Sequence, residues 1–261
     1  PTAAPVDMPA PDNTGSTETE TPSEPTPEPT EEPTPEPVQP ADPPAKENFR
    51  ITDDHLGEGG PKAKFLANLE AIHLLHKLTD ESRAASPEEQ AVLSRYVGWG
   101  GLPDAFDARK EAWAEEYREL AEALSPEEYA AARASTLNAH YTSPTVIRAI
   151  YEAIGSMGFQ SGNILEPSMG VGNFFGLLPE SMLDSRLYGV ELDTVSGEIA
   201  KQLYPNANIT VAGFETTDRR DFYDLAVGNV PFGNYQVNDR AYNKLGFSIH
   251  NYFFAKTLDQ V

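Results

Sequence analysis

The stretch DLAVGNVPFGNY, residues 224–235, puts unlike residues side by side. Its apolar run, Leu225 to Val227, reads as a buried strand that stops at Gly228. Asn229, Val230, Pro231 and Phe232 follow at once. An amide able to donate and accept hydrogen bonds, a backbone fixed by proline and a ring able to stack are thus set at a strand end. Two more strand ends carry chemistry. EPSMGVGNFFG leaves its strand at Glu166 and Pro167, turns through Gly170 and Gly172, and enters a helix near Asn173. Glycines there let backbone N–H groups approach a ligand closely. The spacing is G-x-G-x-x-x-G, with Gly176 one residue later than a dinucleotide fingerprint requires, and an acid four residues before the first glycine is foreign to that fingerprint. YGVELD ends its strand at Glu191, 19 residues after Gly172. Such a carboxylate either accepts both ribose hydroxyls of an adenosine-bearing cofactor or is a solvated strand-end acid. HYTSP, 140–144, reads as a helix start with Thr142 or Ser143 as cap and Pro144 inside.

The elements that must position these residues follow from pattern. From about Leu137 strands and helices alternate. TVIRAIYEAIGSMG is a helix ending at glycine, NILEP and RLYGVELD are strands, TVSGEIAKQLY is a helix, and NITVAGF and DFYDLAVGN are two more strands. This alternation predicts an α/β fold with a parallel sheet, in which ligands bind at the carboxyl ends of the strands. Ahead of it, residues 48–136 read as a helical region. Phe65, Leu66, Leu69, Ile72, Leu75 and Leu78 fall at helical spacing, and Ser86-Pro87-Glu88-Glu89 and Ser125-Pro126-Glu127-Glu128 are helix starts with serine cap, proline and glutamate in place. YVGWGGLPDAFD, 96–107, reads as a packed turn between helices. Trp99, Trp113 and the aromatics of NYFF, 251–254, are expected in the core. His73 and His76 share a helix face without a third ligand, so no metal site is expected.

Residues 1–47 differ in kind. They hold 14 of the 23 prolines and eleven acidic residues against one basic residue. TPSEPTPEPTEEPTPEP has too little apolar surface to offset its chain entropy and reads as a disordered acidic linker. The whole chain of 261 residues has a formal net charge of -22, a poor balance for a free-standing nucleic-acid binder. It has no cysteine, which excludes disulfides, thiolate metal sites and a cysteine nucleophile. No apolar run is long enough to span a membrane, and with no visible signal peptide the cytoplasm is the expected compartment.

Taken together, His140-Tyr141-Thr142, Glu166 to Gly172, Glu191 and Asn229 to Phe232 resemble the motif order of class I S-adenosylmethionine-dependent methyltransferases of the adenine-N6 type. The resemblance covers roughly residues 137–261. The chain from Asn48 onward, with YVGWGGLPDAFD, also resembles the methylase portion of large methylase–helicase proteins of mobile elements and phages. The resemblance implies a Rossmann-like methyltransferase sheet over 137–261, S-adenosyl-L-methionine as cofactor, and methyl transfer to adenine N6 in DNA. Tyr141 and Thr142 would meet the methionine end. Glu166, Pro167, Gly170, Gly172 and Asn173 would wrap the cofactor, Glu191 would hold the ribose and Phe214 would stack on the cofactor adenine. Asn229, Val230, Pro231 and Phe232 would hold a target base flipped out of the duplex. The exocyclic amine of adenine is a poor nucleophile because its lone pair is delocalised. Hydrogen bonds to the Asn229 amide oxygen and the Val230 carbonyl favour a pyramidal nitrogen, and Pro231 biases Val230 to the extended geometry that aims that carbonyl.

Two positions depart from the family. Val230 stands where proline is usual. Gly213 stands where an aspartate often holds the cofactor's adenine amine, with Glu215 as the nearest replacement. Three alternatives remain open at this stage: a protein-glutamine methyltransferase, an RNA methyltransferase, or a degenerate methyltransferase fold serving as scaffold. The chain starts at Pro1 and ends inside a helical pattern, and only four of the seven strands usual for this class can be counted. The expectation is therefore a truncated domain whose strand at 222–228 is an unprotected apolar edge. DNA binding, base specificity and a possible fused helicase domain would lie beyond Val261.

Overall fold

The computed structural model describes residues 47–137 and 141–261. His140, and the expected linker up to residue 46, lie outside the described residues. Helix α1, Pro61–Asp80, starts the helical region, followed by α2, Pro87–Leu93, α3, Ala114–Ala123, and α4, Pro126–Ser135. Then come α5, Pro144–Ser156, β1, Asn163–Glu166, the single turn α6, Asn173–Gly176, and β2, Arg186–Glu191. The chain continues through α7, Thr194–Leu203, β3, Asn208–Val211, β4, Leu225–Ala226, and α8, Ile249–Leu258.

The four strands form one parallel sheet in the order β3-β2-β1-β4. The chain winds outward from β1 to β3 and then returns to place β4 on the other side of β1. That reversal makes a crevice between the carboxyl ends of β1 and β4, where sheets of this kind bind ligands. β4 is shorter than the expected 222–228. Regular pairing joins only Ile164 with Leu225 and Leu165 with Ala226, with Asp224 N–H and Val227 N–H adding single bonds to Asn163 and Leu165. The donors at its start, on Phe222 and Tyr223, go to the carbonyl of Gln260 just past α8.

Adjacent β1 residues serve two cores, as both faces of a parallel sheet require. Ile164 joins a cluster that includes Leu187 and Ile199 and continues into the helical region through Phe65, Ile72 and Trp99. Leu165 joins Val190, Phe214, Tyr252 and Phe253 beneath α8. Trp99 and Trp113 both lie in the first core, edge-on to Phe65. In NYFF, Tyr252 and Phe253 are buried but Phe254 is 57% exposed, because helical spacing turns it to the opposite side. The helical region also satisfies backbone groups of the sheet region. Gln90 of α2 donates its amide N–H to the carbonyls of Gln202 and Leu203, which the end of α7 leaves unpaired. Ala85 N–H donates to the Gln202 side chain, and Phe49 N–H and Ile51 N–H reach Leu203 and Gly176.

Both expected helix starts are complete capping boxes: Ser86 pairs reciprocally with Glu89, and Ser125 with Glu128. Among the described residues no helix is long and apolar enough to cross a membrane. The Ser86 side chain accepts from Glu89 N–H, so its replacement removes that N–H's side-chain acceptor. Ser86→Ala is expected to cost about 1 kcal/mol of stability, read as a lower urea midpoint at an unchanged slope.

Candidate cofactor and substrate cavity

A cavity of about 640 Å³ opens at the carboxyl ends of the strands. Its lining contains Tyr141 and Thr142 ahead of α5, then Glu166, Pro167, Gly170 and Asn173 after β1. It also contains Glu191 after β2, Phe214 after β3, and Asn229, Val230, Pro231 and Phe232 after β4. Of the residues expected from sequence, Gly172 alone is not in the wall. It adopts φ +84° at the start of α6, and a Cβ there would come within 2.5 Å of the Tyr204 ring. Its lack of a side chain lets Tyr204 pack under the loop.

Glu166 lies at the closed side of the cavity. It is 2% exposed, and its Oε2 has no hydrogen-bond partner. Burial pushes its carboxyl well above the ordinary 4.5, and the Glu191 charge adds to the effect. Glu191 is also raised by burial, a rise opposed by hydrogen bonds from Asp193 N–H and Gly170 N–H. Those bonds, 2.8 Å to Oε1 and 2.7 Å to Oε2, fasten the glycine loop to the end of β2. Each carboxylate oxygen has a second lone pair, so Glu191 can still accept ligand hydroxyls. A buried acid with an orphaned oxygen, beside a half-buried one, suits a ligand that brings positive charge and donors.

After β3, a Cβ on Gly213 would overlap the Glu215 carboxylate, 2.1 Å from Oε1. Glu215 thus fills the space that an acidic side chain at 213 would enter, and it lines the cavity. Phe214 is 3% exposed and stacks on Phe253 at 5.0 Å and 27°, so one ring face is taken by α8. At the open side, Asn229 is exposed and Phe232 is 48% exposed. The Ser168 hydroxyl donates to the Asn229 carbonyl at 3.0 Å, tying the loop after β4 to the loop after β1. Farther along, Asp239 is buried against Lys256, 2.8 Å away, and Tyr252. Burial pushes the Asp239 carboxyl up, but the bonds from Lys256 and Tyr252 outweigh it and hold it below the usual range. His76 of α1 pairs with Glu128 of α4, and no cluster of metal-ligating residues occurs among the described residues.

Sequence reasoning missed the part of the wall that comes from the helical region, namely Tyr96, Gly98, Ala131, Ala134 and Ser135. The available signal was the glycine content of YVGWGG. Gly98 and Gly101 both take positive φ, at +67° and +76°. Asp193 and Tyr235 also line the cavity and were not singled out.

The sheet order and the strand-end cavity define an α/β, Rossmann-like unit with a built ligand site. No protein-family model matches the sequence. Among characterised proteins, the chain is 26% identical over 201 residues to "Defense against restriction protein B" of Escherichia phage P1, covering 75% of this chain and 7% of that protein. It is 37% identical over 83 residues to "Type II methyltransferase M.CvrRI" of Paramecium bursaria Chlorella virus XZ-6E, covering 32% of this chain and 21% of that one. The chain therefore spans only a small part of either relative. A solved structure from Listeria monocytogenes, described as a class I S-adenosylmethionine-dependent methyltransferase, superposes with a TM-score of 0.37 at 12% identity, over 76% of this chain and 69% of its own. That superposition is too loose to add to the sheet order itself.

Because Glu166 and Glu191 titrate above 4.5 in the fold, the folded chain holds protons that the unfolded chain releases. Their contribution to stability is most favourable below pH 4.5 and declines as pH rises toward their folded values. Glu166→Gln replaces the buried ionisable group with a neutral one of the same shape. It is expected to raise the melting midpoint of the ligand-free protein at pH 8 by about 2–4 °C and to flatten the fall in midpoint between pH 5 and pH 8. A lower midpoint at pH 8 would show that the ionised carboxylate is stabilising.

Proposed function

We propose that this chain is the catalytic part of an S-adenosylmethionine-dependent methyltransferase acting on the exocyclic amine of adenine in DNA. The observation that carries this reading is the composition of a single cavity. The glycine loop, Glu166 and Glu191 line one part of it, and Asn229 to Phe232 line its open part. The similarity to a type II methyltransferase supports both the reaction class and DNA as substrate. The phage relative named for defence against restriction fits a setting of DNA modification. In this reading residues 48–136 are a helical region and 137–261 the methyltransferase domain, within a larger DNA-modifying protein that includes a helicase part.

The residues fit the cofactor. Glu166 offers a buried, unpartnered carboxylate oxygen to a ligand ammonium. Glu191 accepts the ribose hydroxyls, Glu215 takes the adenine amine where an aspartate is usual, and Phe214 contributes an apolar wall beside the adenine. Thr142 and Asn173 add polar groups nearby. Bound there, S-adenosyl-L-methionine supplies an electrophilic methyl group on a cationic sulfur. At the open side the target base stacks on Phe232, whose exposure leaves it accessible to a base extruded from a duplex. The Asn229 amide oxygen and the Val230 carbonyl accept the two amine hydrogens, so the nitrogen lone pair is directed inward. The extra proton on the methylated nitrogen leaves to water at the open mouth. Valine at 230 keeps the required carbonyl, and Ser168 and Pro231 restrain the backbone on either side of it.

The test is transfer of labelled methyl to duplex DNA by the full chain in its natural protein. Asn229→Ala is expected to reduce transfer to adenine N6 by about 100-fold or more, the scale for losing one group aimed at developing charge, with cofactor affinity retained. Label on cytosine, on RNA alone or on a protein glutamine would replace the substrate assignment. Cofactor binding with no transfer to any acceptor would favour a non-catalytic scaffold.

A further inference from the structure

The cavity wall contributed by the helical region is held in a specific way. Asn68 lies in α1 among Phe65, Leu69 and Ile72, at a position the helical pattern would give to an apolar residue, and it is 0% exposed. A buried amide must find partners for both ends. Asn68 finds them on one dipeptide: its Nδ2 donates to the Gly98 carbonyl at 2.6 Å, and its Oδ1 accepts from Val97 N–H at 2.8 Å. The turn it holds has φ +67° at Gly98 and lies against the Tyr141 ring. A Cβ on Gly98 would stand 2.7 Å from Tyr141 Cε2. Across the ring lies Gly170, at φ +56°, where a Cβ would stand 2.9 Å from Tyr141 Cε1. Tyr141 is therefore gripped between two left-handed glycines, one from the helical region and one from the glycine loop. Its hydroxyl reaches Ser196 Oγ at 3.4 Å, and Ser196 in turn donates to Asp193. Tyr96, next to the same turn, brings its phenol beside Ser196 as well.

We propose that Asn68 is a positioning residue for the cofactor: by fixing the Val97–Gly98 turn it sets the place of Tyr141 against Gly170, and so makes the helical region an integral wall of the cofactor site. This rests on the reading of the cavity as an S-adenosylmethionine site. Asn68 does not line the cavity, so its effect on binding passes through Gly98 and Tyr141. Apolar residues elsewhere on α1 stabilise the same core without touching that turn. Leu78, also 0% exposed, lies near the far end of the helix and serves as the control.

The experiment compares Asn68→Ala and Gly98→Ala with Leu78→Ala in the full chain. S-adenosylmethionine affinity is measured by calorimetry at a temperature where all the proteins are folded. The place of Tyr141 is read separately from the fluorine resonance of 3-fluorotyrosine-labelled protein, assigned with Tyr141→Phe. Asn68→Ala is expected to weaken binding about tenfold and to shift the Tyr141 resonance. Gly98→Ala is expected to shift the resonance in the same way. Leu78→Ala is expected to lower the melting midpoint while leaving affinity within about twofold and the resonance in place. Unchanged affinity and an unshifted resonance in Asn68→Ala would overturn the proposal, as would equal losses of affinity in Asn68→Ala and Leu78→Ala. If the wild-type chain binds no S-adenosylmethionine, the reading of the cavity fails. The resonance then decides the positioning role by itself: a shift in Asn68→Ala but not in Leu78→Ala supports it, and no shift overturns it.

Discussion

One oxygen of a buried carboxylate has no partner, and much of the site is arranged around it. Glu166 ends β1 where the strand order reverses, so the backbone of β4 and the glycine loop both pass beside it. An ionised group in such a place is tolerated only if it is neutralised, by a proton or by a ligand's positive charge. Among the described residues no cation is a cause of the Glu166 shift. Glu191 makes the region more negative, and the nearby phenols of Tyr151 and Tyr204 are pushed up by burial, with Arg50 opposing the rise. The fold therefore holds an electrostatic deficit that a cationic ligand would remove. Elsewhere in the same chain a buried acid, Asp239, is matched by Lys256 at 2.8 Å. The contrast separates a charge that holds a loop in place from one available to a ligand.

The sheet and most of the site were legible in the sequence for a local reason. Each strand of the second half is short, ends in an acid or runs into a glycine within two residues, and is followed by a turn of recognisable chemistry. Tyr141, Glu166, Gly170, Glu191 and Asn229 to Phe232 could thus be placed at strand or helix ends without knowing the sheet order. Parallel winding then brought the strand ends to one side. The capping boxes at Ser86 and Ser125 were legible because their hydrogen bonds span three residues.

What was not legible depends on contacts far apart in the chain. YVGWGG read as a packed turn, and Trp99 is indeed packed. No local pattern shows that Gly98 also meets Tyr141, 43 positions later. Gly172 was legible as a loop glycine, but its role against Tyr204 depends on α7 lying beneath. Gly213 read as the loss of an acid. Glu215 was already legible as its nearest replacement; what the structure adds is that a Cβ at 213 would overlap the Glu215 carboxylate.

The hydrogen bonds from Ala85 and Gln90 to Gln202 join residues 117 and 112 positions apart. Loop closure over that distance is slow compared with helix formation, so α1 and α2 form before the partner they dock on exists. On a ribosome the gap is roughly five to twenty seconds at ordinary elongation rates. During that time the apolar face carrying Phe65, Ile72 and Leu75 has only other helices of its own region to cover it. The docking of α2 on α7 is thus the late step, closed only once the sheet region has been made.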